Sequence, residues 1–326
     1  MARKRKVRIL FACIGRRVAL LQSFRRACGR LGLEGVMIGA DSTGDSAALQ
    51  CCDRRYVVRR VSEPGYARQM RAIIRREGVD LVAPTVDLDL AMWARERERL
   101  GREGCTVLVS RPEVVAICQD KRRSCRFLRE HGFDTPATFT PEEALRGGRG
   151  GYPYFLKPWD GHASRGAYVA RNREELRFYA RRVPNCIVQE FIKGQEHTVD
   201  VLADFEGRVR CAVPRRRLET RAGEVSKAVT VKHPRIMARA KALVEALGAG
   251  PGVITIQCFL TAEGRIVFIE INPRFGGGAP LAMAAGADLP RWLLQMWLGQ
   301  RPRIRLDGWR DGVKMLRYDE AVWVEK

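Results

Sequence analysis

Apolar residues along this chain fall into two alternating rhythms. Short runs at 7–13 (VRILFAC), 35–41 (GVMIGAD) and 79–85 (VDLVAPT) read as buried strands. Between them, apolar residues at 18, 20, 21, 24, 27, 28 and 31 predict an amphipathic helix, and Tyr66 to Glu77 predicts another. Strand, helix, strand, helix at this spacing argues for a parallel sheet. Only Gly15 sits in the first strand-to-helix turn, so the three-glycine dinucleotide fingerprint is missing and neither NAD nor FAD is expected. Gly15, Arg16, Asp41, Ser42, Thr85 and Asp87 lie just past strand ends, where open α/β sheets bind ligands. Asp41 with Ser42 equally well begins a turn or caps a helix.

A second unit starts near Arg111, after the strand TVLVS. A helix from Asp120 to His131 stops at Gly132, and the loosest composition of the chain, Arg146 to Gly151, reads as a loop. Strand YFLK, loop PWDGHASRG, strand AYVA and a helix from about Asn172 follow. Beyond Cys186, strands alternate with turns until a helix from Pro234 to Leu247 and a last pair of strands, ITIQCFL and VFIEIN. The expected fold class is therefore α/β and α+β, with units over 1–110, 111–192 and 193–326.

With 326 residues, 46% hydrophobic and 29% charged, the chain reads as a globular protein of roughly two or three domains. No apolar run reaches the roughly 18 residues of a membrane span, so no membrane partner is expected and a cytoplasmic location is. Ten cysteines without framework spacing predict reduced, mostly buried thiols. A formal charge of +22 invites a nucleic-acid partner. The arginines are scattered along helices, however, and zinc-finger, helix-turn-helix and aromatic RNA-binding signatures are missing, so the charge reads as solvated faces and nucleic acid is not the expected partner. A homodimer is compatible with the sequence.

Chemistry concentrates in FIEINPRFGGG, Phe268 to Gly278. On a strand, Glu270 and Asn272 point one way and Val267, Ile269 and Ile271 the other. A two-residue loop at Glu263 and Gly264 sets Gln257 opposite Glu270, so three oxygen-bearing side chains converge as a hard cation such as Mg²⁺ requires, with Arg274 just beyond. An edge hairpin with one solvated face gives the same pattern. Upstream, Lys157 stands at the root of a loop with Gly161, Ser164 and Gly166, an arrangement that can lay N–H groups on phosphate oxygens; it is not a P-loop, and a plain hairpin also explains it. Glu190 and Glu196 flank a turn at Lys193 and Gly194, as in a nucleoside site or an exposed hairpin.

In this order, KPWDGHASRG, VQEFIKGQEHTVDV and IQCFL followed by FIEINPRFGGG resemble the ATP-grasp superfamily. The likeness runs from about Val7 to Tyr318 and is nearest the branch of the carbamoyl-phosphate synthase large subunit and the carboxylate-amine ligases. It implies a Rossmann-like N-terminal domain before a two-subdomain ATP-grasp fold. It further implies that Lys121 and Lys157 hold the phosphates of ATP under the loop from Gly161 through Ser164 to Gly166. Gln189, Glu190 and the backbone near Ile192 would meet adenine, and Glu196 the ribose. Glu270 and Asn272, and less strongly Gln257, would bind Mg²⁺, while Arg274 would sit beside the transferred phosphoryl group. Relatives use a stretch like PRRRLETRAGEVSKAVTV near the acyl substrate, which makes Arg217 and Lys227 candidate contacts, with Arg317, Gly15, Arg16 and Asp87 weaker ones. Arg217 and Lys227 equally well are solvated strand residues. His162 and His197 are expected to be surface residues. One unit and no internal repeat favour an ADP-forming ligase joining a small carboxylate to an amine through an acyl phosphate, over a carboxylate or carbamate kinase or a non-catalytic ATP-binding protein.

Overall fold

A computed structural model of the chain describes residues 4–147, 151–161, 165–221 and 223–325. Its first unit runs β1 (Lys6–Ala12), α1 (Val18–Arg30), β2 (Glu34–Asp41), α2 (Ala47–Gln50), β3 (Arg54–Val57), α3 (Tyr66–Glu77), β4 (Leu81–Pro84), α4 (Leu90–Arg102) and β5 (Thr106–Val107). The strands pair in parallel in the order β3-β2-β1-β4-β5. The apolar run of β1 is needed because the strand is buried on both faces: Val7, Ile9 and Phe11 enter one core with α1, and Leu10 and Ala12 enter another with α3 and α4. The short β3 and α2 escaped the sequence pattern, since neither is long enough to show a period.

The helices α5 (Pro112–Gln119) and α6 (Lys121–Glu130) lead into a small antiparallel sheet. It is built from β6 (Thr138–Phe139), α7 (Pro141–Leu145), β7 (Tyr154–Pro158), β8 (Tyr168–Ala170), α8 (Arg173–Arg182) and β9 (Cys186–Glu190), in the order β6-β9-β7-β8. Its core is modest: Tyr154, Leu156, Ala170, Leu176 and Val188, with Ala144 beneath. A capping box, Thr140 with Glu143, starts α7.

A larger antiparallel sheet completes the chain, with β10 (Gln195–Ala203), β11 (Val209–Arg221), β12 (Glu224–Thr230), α9 (Pro234–Leu247), β13 (Gly252–Leu260), β14 (Ile266–Asn272), α10 (Ala279–Ala284), α11 (Leu289–Trp297) and β15 (Lys314–Leu316). The strand order is β14-β13-β10-β11-β12-β15. One face packs Val199 and Val201 against Ile236, Ala240, Leu243 and Val244 of α9. The other face is polar and open. Two docking contacts decide what borders it. Helices α5 and α6 pack on β14 of this sheet, and α1 packs on α10 and α11, with Phe24 edge-on to Phe275 at 5.7 Å and Arg30 paired with Asp288 at 2.7 Å. The start of α1 is thereby held against the larger sheet.

Among the described residues no helix is long and apolar enough to cross a membrane. All ten cysteines are free and seven are buried. His197 is buried rather than exposed, with Nδ1 3.0 Å from the Gln195 carbonyl, because it lies on the helix-covered face of β10; His162 lies outside the described residues.

Candidate functional site

The hairpin of β13 and β14 reaches the expected pairing by a different route. The connection spans 261–265, and near it the strands pair one step off, Leu260 with Ile266 and Cys258 with Phe268. A bulge then restores Gln257 opposite Glu270 and Thr255 opposite Asn272. It also breaks the alternation, so Ile269 lines the same cleft as Glu270 instead of facing away. Register carries the polar pattern across four strands: Arg215 pairs with Thr198, Thr198 with Gln257, and Gln257 with Glu270. The next row along holds Asp200, Thr255 and Asn272. Partners in antiparallel strands share a face, so these residues form one polar floor.

Above that floor lies a cleft of about 790 Å³, within the range of small-ligand sites. Lys121, Lys157, Gly161, Gln189, Glu190, Ile192, Glu196, Gln257, Glu270, Asn272, Arg274, Asp87 and Arg217 all border it. Ser164 lies outside the described residues, and Gly166 falls between the lining residues Arg165 and Ala167. Gly166 has φ +70°, which favours glycine, and a Cβ there or at Gly161 would press on the Pro158 ring at 3.0–3.3 Å.

At one end of the cleft, opposite charges alternate. Lys121 opens α6, where Asp120 caps the helix by accepting from the backbone N–H of Arg122 at 2.9 Å. The Lys121 ammonium donates to the Gly161 carbonyl and stands 3.8 Å from Glu270. Burial lowers the pKa of Lys157 on β7, with Glu270 opposing and Lys121 adding to the shift. Burial raises Glu196, against the ion pair it makes with Arg217. Gln257 lies between Glu270 and Arg217. Its amide therefore donates to Glu270 Oε2 at 2.5 Å and accepts from Arg217 Nη1 at 2.7 Å. With that oxygen engaged, Glu270 and Asn272 are the better cation ligands. Gln189 is buried, its amide donating to Thr138 Oγ1 at 2.9 Å, and Glu190 accepts from the Ala137 backbone at 3.3 Å. Phe155, Ile192, Phe259 and Ile269 give this end an apolar lining.

Arginine dominates the other end. Arg274 donates through Nε and Nη2 to Asp87, at 3.1 and 2.6 Å. Arg215, 1% exposed, holds Asp200, 0% exposed, through Nε at 2.6 Å and Nη2 at 3.1 Å. Thr255 Oγ1 lies 3.0 Å from the Arg274 carbonyl and 3.4 Å from Asp200, tying both pairs together. Burial alone would raise Glu224, but Arg17, Arg16 and Arg317 surround it and hold it below the usual carboxylate range. Arg317 also donates to the Gly277 carbonyl.

Several expected contacts lie off the cleft lining. Lys227 is half exposed and pairs with Glu219 at 2.6 Å. Gly15 donates to Asp41 at 2.6 Å and its carbonyl accepts from Ser46, so it closes its own turn. Arg16 is 70% exposed and reaches only Glu224, at 2.9 Å; its neighbour Arg17 lines the cleft instead. Arg17, Arg215 and Thr198 were missed by sequence reasoning, as was Asp200, which pairs with Arg215 beneath the floor. For Asp200 there was a signal, a charge within the apolar run VDVLA of β10; Arg215 is one of three consecutive arginines on β11, with nothing in the sequence to single it out. For Arg17 there was none.

Among the described residues no cluster of three His, Cys, Asp or Glu could hold a metal. Glu270 and Asn272 do fit Mg²⁺, which takes one or two protein ligands and completes its octahedron with phosphate oxygens and water.

Comparison with known proteins bears on the family and the fold. Residues 118–278 match the ATP-grasp domain and residues 9–108 the PylC-like N-terminal domain. The carbamoyl phosphate synthase large chain of Archaeoglobus fulgidus is 25% identical over 300 residues, which cover 83% of this chain but only 27% of that protein. Two solved structures share the fold. One is the biotin carboxylase domain of Hydrogenobacter thermophilus 2-oxoglutarate carboxylase, with MgADP and bicarbonate: TM-score 0.74, 20% identity, 94% of this chain and 73% of that one. The other is an L-amino acid ligase from Bacillus licheniformis: TM-score 0.69, 19% identity, 91% of this chain and 75% of that one. The chain belongs to the ATP-grasp superfamily.

Proposed function

We propose that the chain is an ADP-forming carboxylate-amine ligase. In this reading the γ-phosphoryl group of ATP passes to a carboxylate, and an amine displaces phosphate from the resulting acyl phosphate. The observation that carries it is the meeting of Lys121, Lys157, Glu270, Asn272 and Arg274 on one cleft from three distant segments. Lys121 and Lys157 neutralise the phosphates. The partial desolvation of Lys157 makes each such contact stronger than it would be in water. Adenine lies among Phe155, Ile192 and Phe259, with Glu190 and the backbone near Ile192 reading its edge. Arg217 engages Glu196 Oε1, which leaves Oε2 for the ribose hydroxyls. Mg²⁺, held by Glu270 and Asn272, would supply charge neutralisation between phosphate oxygens. Arg274, fixed by Asp87 and by the Phe275 carbonyl, which accepts from Nη1 at 3.3 Å, turns its remaining donors to the transferring group, where planar donors suit developing charge. The chain's contribution is positioning and electrostatics, with no covalent nucleophile.

The names of the solved neighbours, a carboxylase domain with MgADP and an amino acid ligase, support phosphoryl transfer to a carboxylate or bicarbonate. The test is ADP release from Mg-ATP with pooled amino acids, with the product identified by mass. A conjugate one water lighter than its two parts is expected. ADP without a conjugate would favour the carboxylate or carbamate kinase, and no ADP with any pool would favour a non-catalytic ATP-binding protein.

A further inference from the structure

Resting on the ligase reading, we propose that the acid activated here carries a second compact oxyanion besides its reacting carboxylate, and that Arg17 and Arg215 bind it beside Gly276, Gly277 and Gly278. The chemistry required is that of a carboxylate or a phosphate monoester.

Two guanidinium groups at the arginine-rich end have donors to spare. Arg215, which borders the cleft, spends Nε and Nη2 on Asp200, but its Nη1 is buried and has no hydrogen-bond partner among the described residues. Arg17 borders the same cleft, 16% exposed, and its nearest carboxylate oxygen, on Glu224, is 3.6 Å away, beyond hydrogen-bond length. A buried, unpaired donor on a charged group is costly, and a bound oxyanion removes that cost.

The glycine run brings the two together. A Cβ on Gly277 would come within 2.6 Å of Arg17 Nη1, and one on Gly278 within 2.3 Å of Arg215 Nη1. A Cβ on Gly276 would meet Thr255 Oγ1 at 2.8 Å. Consecutive glycines thus pack against the two guanidinium groups, and both arginines border the same cleft along this stretch. Arg274 is a different case, since Asp87 already occupies two of its donors and it stands next to Glu270 and Asn272. The reacting carboxylate belongs beside Arg274, and Arg17 with Arg215 is left for another group. Among the described residues, Arg16, Arg17, Arg215, Arg274 and Arg317 at this end form ion pairs only with Asp87, Asp200 and Glu224. A single carboxylate leaves that excess unbalanced, and a dianion meets it.

The experiment is calorimetric titration of the whole chain, loaded with Mg²⁺ and a non-hydrolysable ATP analogue, with alanine, aspartate, glutamate and O-phosphoserine, followed by ADP release with ATP and the same acids. At least one dianionic acid should bind about 30-fold or more tighter than alanine. Whether a carboxylate or phosphoserine wins identifies the second group. Arg17→Gln should abolish that preference without changing alanine binding, and Arg17→Lys should restore part of it. Arg17 is the position to vary because Arg215 also anchors Asp200. Tight, Arg17-dependent binding without ADP release would remove the ligase reading and leave the site standing. Equal binding of alanine and every dianionic acid, or a preference that Arg17→Gln leaves intact, overturns the proposal.

Discussion

The two ends of the cleft are built on opposite principles. Where the nucleotide is proposed to bind, Lys121, Lys157, Glu196 and Glu270 are partly exposed, and Lys121 approaches Glu270 only to 3.8 Å. At the arginine-rich end, Arg215 and Asp200 form a bidentate pair with both partners out of water. Partly solvated charges can exchange protein partners for phosphate and metal if a ligand arrives. A buried pair cannot, because separating it strands two desolvated ions. One end keeps charges that a ligand could take over, and the other is organised by folding.

The largest expected effect tests that contrast. Arg215→Met leaves the Asp200 carboxylate buried and unpaired and should cost about 3–5 kcal/mol in urea unfolding. Loss of less than about 1 kcal/mol would mean that the pair is no scaffold. Glu270→Gln is the counterpart at the other end. It removes charge at constant volume, so ADP formation should fall roughly 10²–10³-fold while the unfolding midpoint holds. Normal turnover would remove Glu270 from the metal site, and an equal loss of stability would erase the distinction between the ends.

A second buried carboxylate sharpens the comparison. Asp89 is fully buried like Asp200 but has only neutral partners among the described residues, Trp93 at 2.7 Å, Tyr66 at 3.1 Å and the Cys13 thiol at 3.7 Å, and one oxygen without any. Burial pushes its pKa up to about 6 against the effect of those hydrogen bonds. A raised folded pKa means that the native state binds the proton more tightly than the unfolded chain. Stability from this group is thus present in acid and lost as pH rises through about 6. Asp89→Asn does not titrate. Relative to the parent it should gain up to about 1.4 kcal/mol per pH unit between the ordinary carboxylate range and that value, then level off. Parallel stability-against-pH curves would contradict this. The smallest effect is expected at Lys227, whose partner Glu219 is solvated. Lys227→Ala should leave kcat/KM within about twofold, and a larger loss would put that strand edge in contact with substrate.

What could be seen in advance follows the same division. The nucleotide end was legible because its residues lie in short motifs, Lys157 before the loop at 158–166 and Glu270 with Asn272 two apart on one strand, where local geometry alone puts side chains on a face. The β13–β14 pairing was anticipated at Gln257 and Glu270, yet through a tight turn; a longer connection compensated by a bulge has no sequence signature that distinguishes it. Ile269 was misplaced for that reason. Arg17 and Arg16 are adjacent and chemically identical, so choosing between them required knowing how α1 packs on α10 and α11. Asp200 showed only as a charge in an apolar run, a sign that something is paired without saying with what, and Arg215 was one of three consecutive arginines on β11.

From the sequence alone came the alternation of parallel strands and helices, the later run of antiparallel strands, the glycine loop and the metal-type carboxylate with its neighbouring asparagine. All of these depend on periods of two or 3.6 residues and on backbone freedom within a few positions. Tertiary structure decided the row from Arg215 through Thr198 and Gln257 to Glu270, the partner of each arginine and the pairing of Arg17 with the Gly276–Gly278 run. Those depend on strand register and helix docking between residues up to some 260 positions apart. Such contacts are set by how apolar faces bury one another, and the polar groups they bring together are not encoded near each other in the chain.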